Sequence, residues 1–419
     1  MKLKTISKKI INNNRVLSII DQGFVSASNF IIAILVARFL GLEVLGSYII
    51  IFGGIVLMLR LHASIICMPM VTSPITIDGF IKEKKYLVFQ LCFILLQLFI
   101  SPLMLYVFLL LLLKQDPELS LFVSYMLAMV GILTQEFVRR HMISSGRLFM
   151  AALFSFTYVL IVMFVVLVIP QDQISLDTFF YTFAVAGVPA IVFYLKLSIK
   201  LNSYDFKKAF SELFSHIKNS ISLISNNMLQ WCSGQYIHYI LFIFLGPVSV
   251  GLIAAVRNIF GPINILLLSL EGFLPKKFTS AYKVDDSEGL YKEVLFELKL
   301  AVLGFVVLGL FLQFSGMYIF QLMYDISSED AYPVMMLFLF IYTAAFLWRI
   351  VMISLRVIGK IRILGAVSII SLLTLVVSSL ILIPIYGVLG GVSSMLLSEI
   401  LVFIVLVVAL RHHCHKASK

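Results

Sequence analysis

Long apolar runs alternate with short polar turns from about residue 16 to residue 410. Each run is near the 20 residues that a bilayer-spanning helix needs. The pattern predicts helices over 16–40, 46–70, 86–113, 119–138, 148–169, 178–197, 220–245, 248–270, 300–320, 333–355, 363–384 and 388–410. Most are apolar on every face, as lipid requires. The first and seventh instead carry polar residues at helical spacing: Gln22, Ser26 and Asn29, then Asn226, Gln230 and Ser233. Asn227 and His238 add further polar groups to the seventh. Tyr291–Leu300 is expected as an amphipathic surface helix leading into the ninth span.

Composition agrees with lipid as the solvent. Of 419 residues, 61% are hydrophobic and only 13% charged, which no soluble domain of this size sustains. The net charge of +11 is unevenly placed. With the N-terminus inside, the inner segments hold Lys2, Lys4, Lys8, Lys9 and Arg15; Lys82, Lys84 and Lys85; Arg139, Arg140 and Arg147. They continue with Lys196, Lys200, Lys207, Lys208 and Lys218; Lys276, Lys277, Lys283, Lys292 and Lys299; Arg356, Lys360 and Arg362; Arg411, Lys416 and Lys419. Only Lys114 falls outside, and Arg38, Arg60, Arg257 and Arg349 fall within spans. The excess of lysine and arginine sets both termini in the cytoplasm, so the charge reads as topology and contact with anionic lipid, not nucleic-acid binding. Met1–Asn14 is polar and basic, unlike a cleavable signal. Cys67, Cys92, Cys232 and Cys414 have no metal or redox spacing, and His412-His413-Cys414-His415 reads as a solvated tail. No metal or cofactor is expected.

The two halves repeat one another. Phe39-Leu40-Gly41 followed by Gly46 sits at the turn between the first two spans; Phe244-Leu245-Gly246 followed by Gly251 sits at the turn between the seventh and eighth. In that register Asp21 and Ser28 fall on Asn226 and Ser233, and Pro69 matches Pro275 after one inserted residue. Gly146-Arg147 and Gly359-Lys360 form a second pair, setting Glu136 opposite Arg349. Six spans followed by six in the same orientation imply parallel repeats about an axis along the membrane normal. The expected fold is all-α and polytopic, with about twelve transmembrane helices in two pseudo-symmetric six-helix bundles around a central cleft. Residues 1–198 form the first bundle, 199–219 a cytoplasmic linker and 220–419 the second bundle. Rocking such bundles gives alternating access, the working principle of a transporter.

Asp21-Gln22-Gly23, Ser28-Asn29-Phe30, Ala37-Arg38-Phe39-Leu40-Gly41 and Gly46-Ser47-Tyr48 resemble the opening of polysaccharide flippases. These are the O-antigen and lipid-linked oligosaccharide transporters of the multidrug/oligosaccharidyl-lipid/polysaccharide (MOP) exporter superfamily. Gln135-Glu136-Phe137, Arg139-Arg140 and Gly146-Arg147 are similar to that family's junction of the fourth and fifth helices. The resemblance implies export of an undecaprenyl-diphosphate-linked repeat unit from the cytoplasmic to the periplasmic leaflet of a bacterial inner membrane. Its partners would be the lipid-linked oligosaccharide, membrane lipid and other polysaccharide-assembly proteins, with a proton or sodium ion as a candidate coupling ion.

A charge at the bilayer centre costs about 2.5–3.5 kcal/mol even on insertion scales, so intramembrane ions are functional candidates. All four intramembrane cations are arginines, whose planar guanidinium suits bidentate phosphate oxygens. Arg38 lies near the outer end of the first span. At 1.5 Å rise per residue Arg257 lies about 9 Å past Gly251, and Arg60 about 21 Å past Gly46; Arg349 is in the inner third of the tenth. Arg38, Arg60, Arg257 and Arg349 form an expected ladder for a diphosphate, with Arg38 close enough to the surface to snorkel. Gln22, Ser26, Asn29, Asn226, Gln230 and Ser233 would line the hydrated path or pack between helices. Asp21 is a candidate ion-coupling acid, or else a partner of Arg15 or a neighbouring helix. Glu136 and Arg349 would form an inner gate, or Glu136 would pair locally with Arg139 and Arg140. Gly53-Gly54, Gly187 with Pro189, and Gly261-Pro262 are candidate bends, for hinging or for packing.

Two other function classes compete. A membrane polymerase or ligase needs catalytic groups on a sizeable outer loop. Lys114–Glu118, Gln171–Asp177 and Gln321–Tyr332 are the longest outer loops, and they offer no catalytic pattern. A cation-coupled multidrug exporter of the same superfamily would favour an acidic path, whereas this one is basic.

Overall fold

The computed structural model describes residues 14–72, 76–77, 80–110, 118–170, 173–199, 201–326, 329–360 and 362–417. Lys2, Lys4, Lys8, Lys9, Lys114, Lys200 and Lys419 of the orientation count lie outside them. The main helices are α1 (Asn14–His62), α2 (Met68–Thr72), α3 (Lys82–Phe108), α4 (Leu119–Ser144), α5 (Leu148–Val168) and α6 (Leu176–Ser198). They continue as α7 (Ser203–Asn219), α8 (Ile221–Leu245), α9 (Pro247–Ile259), α10 (Gly261–Tyr324), α11 (Ala331–Val357) and α12 (Arg362–Ala417). A five-residue π-helical segment, Ala63–Cys67, joins α1 to α2. Two short strands, Thr76–Ile77 and Phe80–Ile81, pair antiparallel.

Three of these helices are broken internally: α1 at Gly41, α10 at Asp285–Asp286 and α12 at Gly387. Split at those points, and with α9 and the first part of α10 forming one crossing, the described residues trace twelve apolar crossings, plus α7. The protein is an all-α, multi-pass membrane protein of two six-helix bundles. Tyr291–Leu300 belongs to the continuous helix that follows the Asp286 break and becomes the ninth crossing. Lys277 pins it by ion pairs to Glu293 and, at 2.6 Å, to Glu297.

The backbone carries the repeat as clearly as the sequence does. Gly41 (φ 84°, ψ 175°) and Gly246 (φ 81°, ψ −177°) turn the chain in the same conformation, one that only glycine adopts without strain. Gly146 and Gly359 have φ of 73° and 76°. In both, the glycine N–H bonds the carbonyl three residues back (Ile143, Arg356), and the following N–H bonds the one five back (Met142, Leu355). That is the same helix-terminating motif used twice.

By contacts the chain divides into two compact units, 1–40 with 47–235 and 41–46 with 236–419. In the first, fully buried Phe137, Phe179, Phe180 and Phe183 form the core with Tyr48 and Tyr125. Gly187 of α6 lies against the backbone of Gly131 in α4, so this small residue serves close packing. The 199–219 stretch is largely α7, packed on α3 within this unit. In the second unit Phe260, Phe278, Phe320 and Tyr324 are buried. There a Cβ at Gly46 would stand 1.8 Å from the Pro247 carbonyl, and one at Gly251 1.9 Å from that of Leu42. These repeat-related glycines allow two first turns to touch. The outer surfaces are apolar, with Phe99, Leu167 and Phe314 each about four-fifths exposed, as a lipid-facing surface should be.

Candidate functional site

The densest charge cluster lies near the lysine-rich end of the first unit. The fourth span was expected to stop at residue 138, but α4 runs on to Ser144 and carries Arg139 and Arg140 within it. Arg139 is buried; its Nη1 donates to Asp21 Oδ2 at 2.6 Å and its Nε to Glu136 Oε2 at 3.0 Å. Arg140 Nε donates to Glu136 Oε1 at 2.8 Å, and Ser155 of α5 donates to Asp21 Oδ1 at 2.6 Å. Two carboxylates and two guanidinium groups thus balance, and the helix extends because the buried cation is fully paired. Asp21 is joined to a neighbouring helix, with both oxygens engaged. Glu136 takes the local pairing with Arg139 and Arg140.

Beside this cluster the π-helical segment shifts the register of the second crossing. His62 Nε2 is 2.5 Å from Gln90 Oε1, and Cys67 Sγ 3.4 Å from His62 Nδ1. Such single-turn bulges concentrate at functional sites. Further along the same face, Asn227 of α8 donates to Ser64 at 2.7 Å and Trp231 donates to the Gly53 carbonyl at 3.0 Å. Arg60 lies between those two contacts and is exposed. Ser64, which accepts from Asn227, donates in turn to the Arg60 carbonyl at 2.7 Å.

Arg38 is exposed at the end of the first crossing. Arg257 is exposed, with Nη1 3.4 Å from Nε2 of buried His238. Arg349 lies 5.4 Å from the centre of the Trp348 ring and 3.8 Å from Glu271, and its Nε is buried with no hydrogen-bond partner among the described residues. Among the described residues, none of Arg38, Arg60 and Arg257 has a carboxylate within ion-pair distance. Gln22, Ser26, Asn29, Asn226 and Gln230 are exposed on their units, and Ser233 is half-buried. Polar groups left open at membrane depth face water or protein rather than acyl chains.

Sequence reasoning missed Glu399, which accepts a hydrogen bond from the Trp348 indole and lies inside the twelfth crossing. The rule that singled out the four arginines applies equally to it. Glu271, at the edge of the expected eighth span, was passed over because α10 runs further than hydropathy indicated. The Asp21–Arg139 pair had no periodic signal, since it joins different helices. A cavity of about 600 Å³ opens at the Gly146-Arg147 turn, lined by Leu17, Met142, Phe149, Phe154 and Phe193 among others.

No family model matches the chain, and no curated protein matches it. Solved structures do. A multidrug resistance MATE family transporter of the MOP superfamily, in an inward-facing conformation, aligns over 94% of this chain and 95% of its own, with TM-score 0.69 and 14% identity. The lipid II flippase MurJ, inward closed, aligns over 94% and 87%, again with TM-score 0.69 and 14% identity. A MOP superfamily transporter from Pyrococcus furiosus, described as having a binding pocket of reverse polarity, aligns over 98% of this chain and 97% of its own at TM-score 0.52 and 12% identity. The fold is that of MOP superfamily transporters. Within the MOP fold, the repeat glycines and the twelve crossings have a common explanation as two copies of one six-helix plan.

Proposed function

We propose that this protein is a flippase that moves an undecaprenyl-diphosphate-linked oligosaccharide, an O-antigen or related repeat unit, from the cytoplasmic to the periplasmic leaflet by alternating access. The observation that carries the reading is a set of guanidinium groups without tight carboxylate partners among the described residues, at membrane depth in a MOP fold. Arg60, beside the amides of α8, and Arg257, beside His238, are placed to exchange water for phosphate oxygens. Arg349 would take part once released from its loose contact with Glu271, and Arg38 would meet the headgroup at the outer surface. The polar stripes of the first crossing and α8 would keep the sugars hydrated, and the apolar cavity beside Arg147 offers the lipid tail a place to load. A headgroup with two negative charges leaving a negative interior gains roughly 4.6 kcal/mol per 100 mV, so the membrane potential favours export. In this reading the bundles are 1–198 and 220–419, joined by 199–219, with both termini cytoplasmic in the bacterial inner membrane.

A strain lacking the chain tests this directly. Loss of surface polysaccharide, accumulation of lipid-linked repeat units on the inner leaflet and restoration by the wild-type chain are expected. Unchanged surface polymer would overturn the reading. The fold likeness to a MATE transporter and the acids Asp21 and Glu399 favour one rival, a cation-coupled drug exporter. It requires drug efflux that Asp21→Asn or Glu399→Gln removes, with surface polymer intact.

A further inference from the structure

The seventh helix is amphipathic and its apolar side is bare. Phe206, Phe210 and Phe214, at successive four-residue steps, are 40%, 69% and 82% exposed. Its other side is pinned to the first unit: Lys84 bonds Asp205 at 2.8 Å, Lys85 bonds Glu212 at 2.5 Å, and His216 donates to the Ile65 carbonyl. Between α7 and α3 lies a groove of about 400 Å³ lined by Val88, Cys92, Phe206, Lys207, Phe210 and Ser211. Its walls are apolar except for Ser211 and the exposed Lys207, which has no carboxylate within ion-pair distance among the described residues.

The groove does not end at α7. Val88 and Cys92 continue down the same face of α3 into Leu95, Leu96 and Phe99, exposed by 50%, 52% and 80%. One continuous apolar track therefore runs from a lysine at the membrane surface into the depth of a spanning helix. A water-soluble partner cannot follow it there; a lipid can. An exposed aromatic row flanked by lysines is also how an amphipathic helix lies in the headgroup region.

We propose that the α3–α7 groove binds one anionic phospholipid of the surrounding bilayer. Its acyl chain lies along Cys92 and the exposed Leu95, Leu96 and Phe99 of α3, and its phosphate sits on Lys207. The bound lipid completes the surface of α7 and holds it in the headgroup plane.

Cys92 supplies the probe, because it is half-buried in the groove wall. The full chain in nanodiscs of phosphatidylcholine, with and without phosphatidylglycerol, is treated with N-ethylmaleimide, and alkylation of Cys92 is followed by peptide mass spectrometry against Cys232. Phosphatidylglycerol is expected to slow Cys92 alone. Lys207→Ala should weaken that protection about fivefold, the worth of one lysine near an anionic surface, while Lys218→Ala at the far end of α7 leaves it unchanged. Ser211→Trp, which fills the groove from its exposed wall, should abolish retention of phosphatidylglycerol in native mass spectra. Equal alkylation in both lipids, or equal effects of Lys207→Ala and Lys218→Ala, would overturn the proposal. So would protection that follows protein concentration, which would assign the groove to a second copy of the chain.

Discussion

Arg139 shows how much a single side chain can hold in a membrane protein. It neutralises Asp21 on one helix and Glu136 on its own, with 4% of its side chain exposed. Removing it leaves two carboxylates without their main cation, and breaking a buried pair in this way costs about 3–5 kcal/mol. Arg139→Ala should therefore lower thermal stability in detergent sharply, while the double variant Asp21→Asn with Arg139→Gln should recover most of the loss. Equal destabilisation by the single and double variants would contradict the pairing. Arg60 and Arg257 should behave in the opposite way: with no carboxylate partner among the described residues, their alanine variants should keep wild-type stability within about 0.5 kcal/mol. At this scale the sequence was legible for residue type and depth. It was not legible for partners, because Asp21, Arg139 and Ser155 meet through the packing of three helices rather than through any periodicity.

At the scale of elements, the glycine turns and the docking of α7 make separate predictions. A methyl group at Gly46 or Gly251 would collide with a backbone carbonyl that has no rotamer to yield. Gly46→Ala or Gly251→Ala should cost about 1–3 kcal/mol, as overpacking does, and a thermal melt at wild-type temperature would refute the close approach. His216 makes α7 sensitive to pH. Burial and the nearby Lys85 lower its proton affinity, outweighing the hydrogen bond to the Ile65 carbonyl and the charge of Glu212. The folded state thus binds the proton less readily than the unfolded one. The contribution to docking is complete above the ordinary value of about 6.5 and is lost as pH falls through and below it. Corrected hydrogen-exchange protection of α7 should be flat at higher pH and fall in acid, and His216→Gln should flatten the profile. The element ends followed the sequence at Gly41 and Gly246. They departed from it where a charge was paired, as at Arg139 in α4 and at Lys277 in α10, because hydropathy counts a neutralised ion as if it were bare.

For the whole molecule, the alternation of apolar runs and basic loops was enough to foresee twelve crossings in two repeated sets, since bilayer thickness and backbone hydrogen bonding leave an apolar chain few other solutions. The matching backbone of Gly41 with Gly246 and of Gly146 with Gly359 bears the repeat out. What the sequence pattern could not supply was the division of labour among charges, with Asp21, Glu136, Arg139 and Arg140 satisfied by one another and Arg60 and Arg257 left without ion partners among the described residues. The proposal that those unpaired groups guide a diphosphate is tested most directly in proteoliposomes, by the rate at which a fluorescent polyprenyl-diphosphate sugar reaches the opposite leaflet. Arg60→Ala, Arg257→Ala and Arg349→Ala should each slow translocation about tenfold or more while the protein stays folded, with lysine at the same positions recovering part of the rate because it keeps the charge but not the fork. Translocation at the wild-type rate by all three alanine variants would contradict the account.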